Sequence, residues 1–557
     1  MKRFLMLSFL LSLLTVLLAS CSAQAPHGDG VPKPPQDSVT VPPDDTEIYK
    51  PHSEDYGRDT VALSALEYVR PDADRLIGRC EEVATLAEGE VGLDELTDRV
   101  REILSEYNSF RSMHTLSEIR YFADVKSISH AVEFEINKSR VGEIEAALEA
   151  AFTALAGSEH RVALEESVLG RGFLEGRIKG TAELEALLAT EAELETRYVS
   201  AVESERRGLF VELVKTRRLI AEAAGYTSYT DYLYATEGVG YTPDDASRLI
   251  RNVANYTMPV YVSLASSVFY SYFGGKSPSS VGTATVINRL YDVLRERDSD
   301  LADVYAYMLH YGLYEIGSRK EGQSGVSFVS YIPDTSSPVL YMTAVGNITD
   351  YTSAARLFGK YFDAYVNYGA DGDPSLYVAE DALPLLTLVG LNGRISDADY
   401  RYLYYSGMYE LLSELVMQAY RARFEMSVYR LAYSKITVET IDELAIEAAD
   451  ALYLTPDSVT QPEVAITDEL VLSPYSTVSD CVAKLLSLEI YFTELSEAGA
   501  GFEAFKDVVS RGIPRSFDEQ LWHAEIGSPF EAGTLKEISD KVHYYIMGYH
   551  YFEEFAE

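Results

Sequence analysis

Residues 353–362, SAARLFGKYF, decide how the rest of the chain is read. On a helix, Arg356 and Lys360 lie four residues apart and project from one face, with Leu357 beside them. Neither cation offers a lone pair to a metal ion near neutral pH, and leucine cannot accept a proton. Such a face can meet an anion, but it supplies neither a metal ligand nor a base.

Immediately upstream, residues 325–347, GVSFVSYIPDTSSPVLYMTAVGN, break the helical rhythm. Val326 and Phe328, then Val339 and Tyr341, alternate around a turn containing Pro333, Asp334 and Pro338, which predicts a β-hairpin. Downstream, VAEDALPLL places Glu380 twenty residues after Lys360, and AYRARFEMSVYR covers residues 419–430. Further on come PYSTVSDCVAKLLSLEIYF and SRGIPRSFDEQLWHAEIGSPFEAGTLKEISDKV.

Upstream of the hairpin the pattern is helical. Val141, Ile144, Leu148, Phe152 and Leu155 recur at helical spacing, as do Leu184, Leu187, Leu188, Leu194 and Tyr198, with acidic faces that read as solvated. Residues 210–243 read FVELVKTRRLIAEAAGYTSYTDYLYATEGVGYTP. Gly225 is placed to stop a helix in the left-handed conformation, and Tyr226, Tyr229 and Tyr232 to form an aromatic face. Gly274-Gly275-Lys276-Ser277 ends like a phosphate loop, but Tyr270 stands where the earlier glycine is needed and no strand precedes it.

The composition is globular for most of the 557 residues, at 47% hydrophobic and 24% charged. Forty-seven Lys and Arg against 87 Asp and Glu give a formal net charge of -40, so nucleic acid is not an expected partner. The chain opens with Lys2, Arg3, an apolar run and Leu18-Ala19-Ser20-Cys21. This resembles a bacterial lipobox, which implies a signal peptide over residues 1–21, a lipidated Cys21 and a protein held on the outer, extracytoplasmic face of a membrane. The apolar run is shorter than the ~20 residues of a spanning helix. Residues 22–58, rich in Pro, Asp, Ser and Gly, read as a flexible tether. Of the other cysteines, Cys80 and Cys481 read first as two buried free thiols, with a disulfide between them the alternative in an oxidising compartment.

Taken in order, the segments from residue 210 onward resemble the thimet oligopeptidase and oligoendopeptidase F family of zinc metallopeptidases. The resemblance covers residues 210–550 by motif, with residues 59–209 as a preceding helical region. It implies an all-α fold with a small β element, two halves flanking a deep central channel, and an edge strand that pairs with substrate just before the zinc helix. In that family H-E-x-x-H places two imidazoles on one ion and a Glu beside the metal-bound water. Here those positions are Arg356, Leu357 and Lys360. Glu380 matches the third zinc ligand, and Glu469 falls where an assisting His is expected. Ser476, Thr477 and Asp480 fall where tyrosines steady the oxyanion. No two of the nine His sit at i, i+4, and no G-x-S-x-G elbow nominates another nucleophile.

The resemblance therefore implies a peptidase fold whose zinc and catalysis are lost, a pseudo-peptidase retaining oligopeptide binding around Arg356, Leu357, Lys360, Glu380, Glu469 and Asp480. Two other readings stay open: a hydrolase acting through other residues, and a scaffold lipoprotein that binds nothing.

Overall fold

The computed structural model describes residues 46–51, 60–89, 91–174, 181–237, 240–318, 325–367, 378–454, 465–510, 517–548 and 551. Cys21, the signal peptide and most of the expected tether lie outside the described residues. The principal elements, in chain order, begin with helices α1 (Ala73–Ala87), α2 (Leu93–Ala123), α3 (Ile128–Ala156), α4 (Ala182–Ser200), α5 (Glu203–Ala223) and α6 (Tyr229–Glu237). Next come α7 (Thr283–Arg297), α8 (Ser299–His310) and strands β1 (Tyr314–Ser318), β2 (Phe328–Ile332) and β3 (Ser337–Ala344). After them come α9 (Thr349–Val366), α10 (Val378–Leu391), α11 (Asp397–Tyr429), the short α12 (Asp468–Leu472) and α13 (Ser476–Ser496), and further helices, among them Val438–Ala451 and Ala532–Met547, complete the described chain. The fold is thus helical with one small sheet, and no described helix is long and apolar enough to cross a membrane.

The chain forms two compact units, each discontinuous in sequence. One comprises residues 44–185 and 280–368; the other takes in 186–279 and 369–557. The sequence boundary between 209 and 210 therefore does not separate units. Leu209 and Phe210 are both buried on α5, so a motif that starts there starts inside a packed helix.

In the unit that contains the sheet, Leu76, Cys80, Val83 and Ala87 form one stripe of α1. They join Val100 and Ile103 of α2 and Ile144, Leu148, Phe152 and Leu155 of α3 in a continuous apolar core. Asp72 starts α1 by accepting the Arg75 N–H at 3.1 Å. Residues 47–51, inside the segment 22–58 expected to be a flexible tether, are instead held within this unit: Tyr49 N–H donates to Asn288 Oδ1 at 2.7 Å, and Asn288 Nδ2 donates to the Glu47 carbonyl at 2.7 Å.

The hairpin is present as β2 antiparallel to β3, with Phe328 opposite Tyr341 and Val329 opposite Leu340. Two details differ from the sequence expectation. A third strand, β1, pairs parallel to β3 from Tyr314 with Leu340 to Ser318 with Ala344, so the strand before α9 is central and the edges are β1 and β2. Pro338 lies within β3, opposite Tyr331, rather than in the turn. Leu340 N–H donates to Leu313 O on the β1 side. The twofold period turns the Pro338 nitrogen to that same side, just beyond the paired stretch, so no ladder bond is lost. The tight connection is made by Pro333–Thr335 and a left-handed Ser336.

In the other unit α5 ends as expected. Gly225 has φ 86°, its N–H donates to Glu222 O at 3.1 Å, and Tyr226 N–H reaches Ala221 O at 2.8 Å, the paired bonds of a Schellman stop. Tyr226, Tyr229 and Tyr232 pack on one another, with Tyr229 buried against Tyr429 at a ring separation of 4.9 Å. Cys80 and Cys481 are buried free thiols, one in each unit.

Candidate functional site

Helix α9 is set by its first turn. The buried Asp350 accepts the N–H groups of Val345 and Gly346 at 2.9 and 2.7 Å, fixing the corner between β3 and the helix. Ala354, Ala355, Phe358, Tyr361 and Phe362 are buried on its inner face, where Phe358 meets Tyr305 edge-on. Leu357 joins this buried set, while Arg356 and Lys360 share the half-buried face. Positions 356, 357 and 360 thus present two cations and a packed aliphatic side chain. Their chemistry does not fit a zinc ion.

Glu380, Glu469 and Asp480 belong to the other unit. Glu380 is half-buried in the first turn of α10 and Glu469 is exposed on α12. Asp480, in contrast, is buried and engaged. Its carboxylate accepts from Lys484 Nζ, one turn along α13, at 2.9 Å, and the same ammonium donates to Asp381 Oδ2 at 3.0 Å. Glu414 of α11 lies 3.3 Å from that ammonium. Asp480 is therefore committed to an internal ion cluster and is not presented as a hydrogen-bond donor to a reacting group.

The electrostatics follow from this burial. Loss of water opposes the charge on Lys484, but Asp381, Asp480 and Glu414 outweigh it and hold the ammonium above its ordinary range. Burial raises the Asp480 carboxyl, with Lys484 and a hydrogen bond from Gln418 acting against it. Gln418 Oε1 also accepts from Arg421 Nη1 at 3.2 Å. Burial lowers the Arg421 guanidinium, which Glu469, Asp480 and Glu414 partly offset, so Glu469 and Asp480 face one charged cluster from two elements.

Sequence reasoning placed Asp480 but missed Lys484, Asp381, Glu414 and Arg421. One signal was available: an Asp and a Lys at i, i+4 inside the mostly apolar run VSDCVAKLLSLEIYF are buried together only as a pair. Among the described residues no three His, Cys, Asp or Glu side chains group as a metal site.

The segment that carries Glu469 is clamped from behind. Arg217 of α5, fully buried, donates to Glu191 Oε1 at 2.6 Å, Glu195 Oε1 at 2.7 Å, Tyr429 Oη at 2.7 Å and the Val471 carbonyl at 2.8 Å. A guanidinium alone presents enough donors in a fixed fork to serve four acceptors. At the start of α13, Glu425 accepts the Tyr475 N–H at 2.9 Å and the Thr477 hydroxyl at 3.1 Å.

The described chain thus has two helical units, one bearing a three-stranded sheet directly before α9. By sequence, no protein-family model and no curated protein matches the chain. By structure the chain is similar to a protein assigned as an oligoendopeptidase F from Bacillus anthracis str. Ames, at TM-score 0.64 and 16% identity, over 88% of this chain and 99% of that one. It is similar to PZ peptidase A in complex with an inhibitor, at TM-score 0.66 and 16% identity, over 87% and 99% of the two chains. A protein assigned as a peptidase from Chlamydophila abortus aligns at TM-score 0.62 and 12% identity, over 87% and 100%. The likeness spans nearly the whole length of each, and the fold is shared.

Proposed function

We propose that this protein is a lipid-anchored, extracytoplasmic member of the oligoendopeptidase fold that has lost its zinc and its catalysis and binds oligopeptides without cleaving them. The observation that carries the reading is α9 itself. It carries two half-buried cations and a buried leucine, which on the resemblance read from the sequence replace two lone-pair donors and a base. The replacement keeps two positive charges on that helix within a protein of net charge -40.

A peptide's C-terminal carboxylate is the ligand group that such a face favours, through charge-assisted hydrogen bonds. Loss of water at the half-buried face strengthens the attraction beyond the ~0–1 kcal/mol of an exposed pair. The lipobox at Cys21 supplies the anchor and the address in this reading. Calorimetry with a panel of peptides, each as free acid and as C-terminal amide, tests it. The free acid is expected to bind more tightly, more weakly in high salt, and more weakly to Arg356→Ala and Lys360→Ala. Equal affinity for the two forms, unchanged in both variants, would remove the cations from the binding role. Cleavage of the same peptides would contradict the loss of catalysis.

A further inference from the structure

Glu425 of α11 is fully buried in a protein whose acids mostly face water. It stands at the N-terminal end of α13, where Tyr475 is the N-cap residue and provides no side-chain cap. The Glu425 carboxyl instead ties down the residues around that end, bonded to the Tyr475 N–H and to the Thr477 hydroxyl. Tyr475 itself is left-handed, at φ 67°, a region that bulky residues rarely adopt. Its hydroxyl is hydrogen-bonded to Thr230. A strained residue fastened at both ends by side chains opens once one fastening weakens.

The charged and titratable groups that act on the carboxyl are Arg217 of α5, Tyr234 of α6, Tyr429 of its own helix, Glu469 of α12 and Tyr475 before α13. Among the described residues no ion pair reaches Glu425. Burial pushes its carboxyl up to about 8, with Tyr475 N–H, Thr477 and Arg217 acting against that and Glu469 adding to it.

We propose that Glu425 is a pH-sensitive latch on the α12–α13 junction, closed around a neutral carboxyl and released as the carboxyl ionises. The neutral group keeps both bonds without burying a charge: its carbonyl oxygen accepts from Tyr475 N–H, and on the other side the Thr477 hydroxyl turns its hydrogen away so that the carboxyl O–H donates to Oγ1 across the same contact. Ionisation places a charge where no cation pairs with it, and opening the junction returns that charge to water while releasing Tyr475 from its left-handed state. The closed form holds its proton to higher pH than the open form. Opening therefore increases as pH rises from the ordinary carboxyl range toward about 8 and levels off above it. The junction carries Glu469 and leads into Asp480, so the latch would govern how those two residues are held whether or not a peptide binds there.

Amide hydrogen exchange followed by mass spectrometry on the full chain tests this, with rates corrected for their intrinsic pH dependence. Protection over residues 468–479 is expected to fall about tenfold per pH unit between roughly pH 5.5 and 7.5 and to level off above 8. Protection of α1 should stay flat. Glu425→Gln keeps both bonds through its amide and should remove the slope. A flat wild-type profile, a slope shared by α1, or a slope that survives in Glu425→Gln would each overturn the proposal. Should the variant fail to accumulate, the wild-type profile with α1 as internal reference decides alone.

Discussion

Replacing Lys484 with methionine removes one charge and keeps the length of an unbranched side chain, which isolates the electrostatic role of the ammonium. In the wild type that ammonium is 4% exposed and bonds Asp381, itself 4% exposed, and Asp480, 11% exposed. Glu414, at 46%, is screened by water and contributes little. The variant leaves two buried carboxylates facing each other without a cation, and breaking a buried pair in this way costs about 3–5 kcal/mol at neutral pH. The sign of the pH dependence follows. Burial already raises the Asp480 carboxyl and Lys484 acts against that, so its loss raises the group further; the variant is penalised as pH climbs and recovers as the acid protonates. The gap from wild type should be widest above about pH 6 and narrow toward pH 4. Urea unfolding followed by near-ultraviolet circular dichroism at several pH values measures it. Adding Asp381→Asn and Asp480→Asn to Lys484→Met should recover most of the loss, because the stranded charges go with their partner. A single variant within about 0.5 kcal/mol of wild type at pH 7, or a gap that widens in acid, would refute the buried-cluster account.

Arg217→Lys should destabilise the protein by about 3 kcal/mol, seen as a lower urea midpoint, since a point ammonium cannot serve the four acceptors of the guanidinium. Burial pushes the Cys80 thiol up to about 11 and raises Cys481 well above its ordinary value, so neither should react with an aromatic disulfide reagent in the native protein at pH 8. After unfolding, two thiols should titrate if Cys21 is acylated and three if it is not. Cys21→Ala is expected to leave the membrane fraction or to remain unprocessed, and fractionation with gel mobility checks it.

Much of the fold was legible because its cues are local. The stripes on α1 and α3 repeat at helical spacing over several turns, and Gly225 ends α5 through bonds made within six residues. The hairpin announced itself by alternation around Pro333. β1 did not, because Tyr314–Ser318 is five residues long, contains a glycine, and becomes a strand only by pairing with β3 across the chain. Pro338 misled for a similar reason: its missing N–H matters only if the strand on that side continues. The candidate site divided along the same line. Arg356, Leu357 and Lys360 could be read from one helical turn. The role of Asp480 depended on Lys484, Asp381 and Glu414, two of them on other helices, and no spacing within one segment reveals that meeting.

The central claim, that cations and a leucine have displaced a metal centre, is tested most directly by the zinc content of the purified native chain. Elemental analysis after exhaustive dialysis, without chelator, should find far less than one zinc per chain, because Arg356 and Lys360 offer no lone pair and Leu357 no base. Variants restoring His, Glu and His at 356, 357 and 360 should gain zinc in the same measurement. One tightly held zinc per native chain would contradict the account.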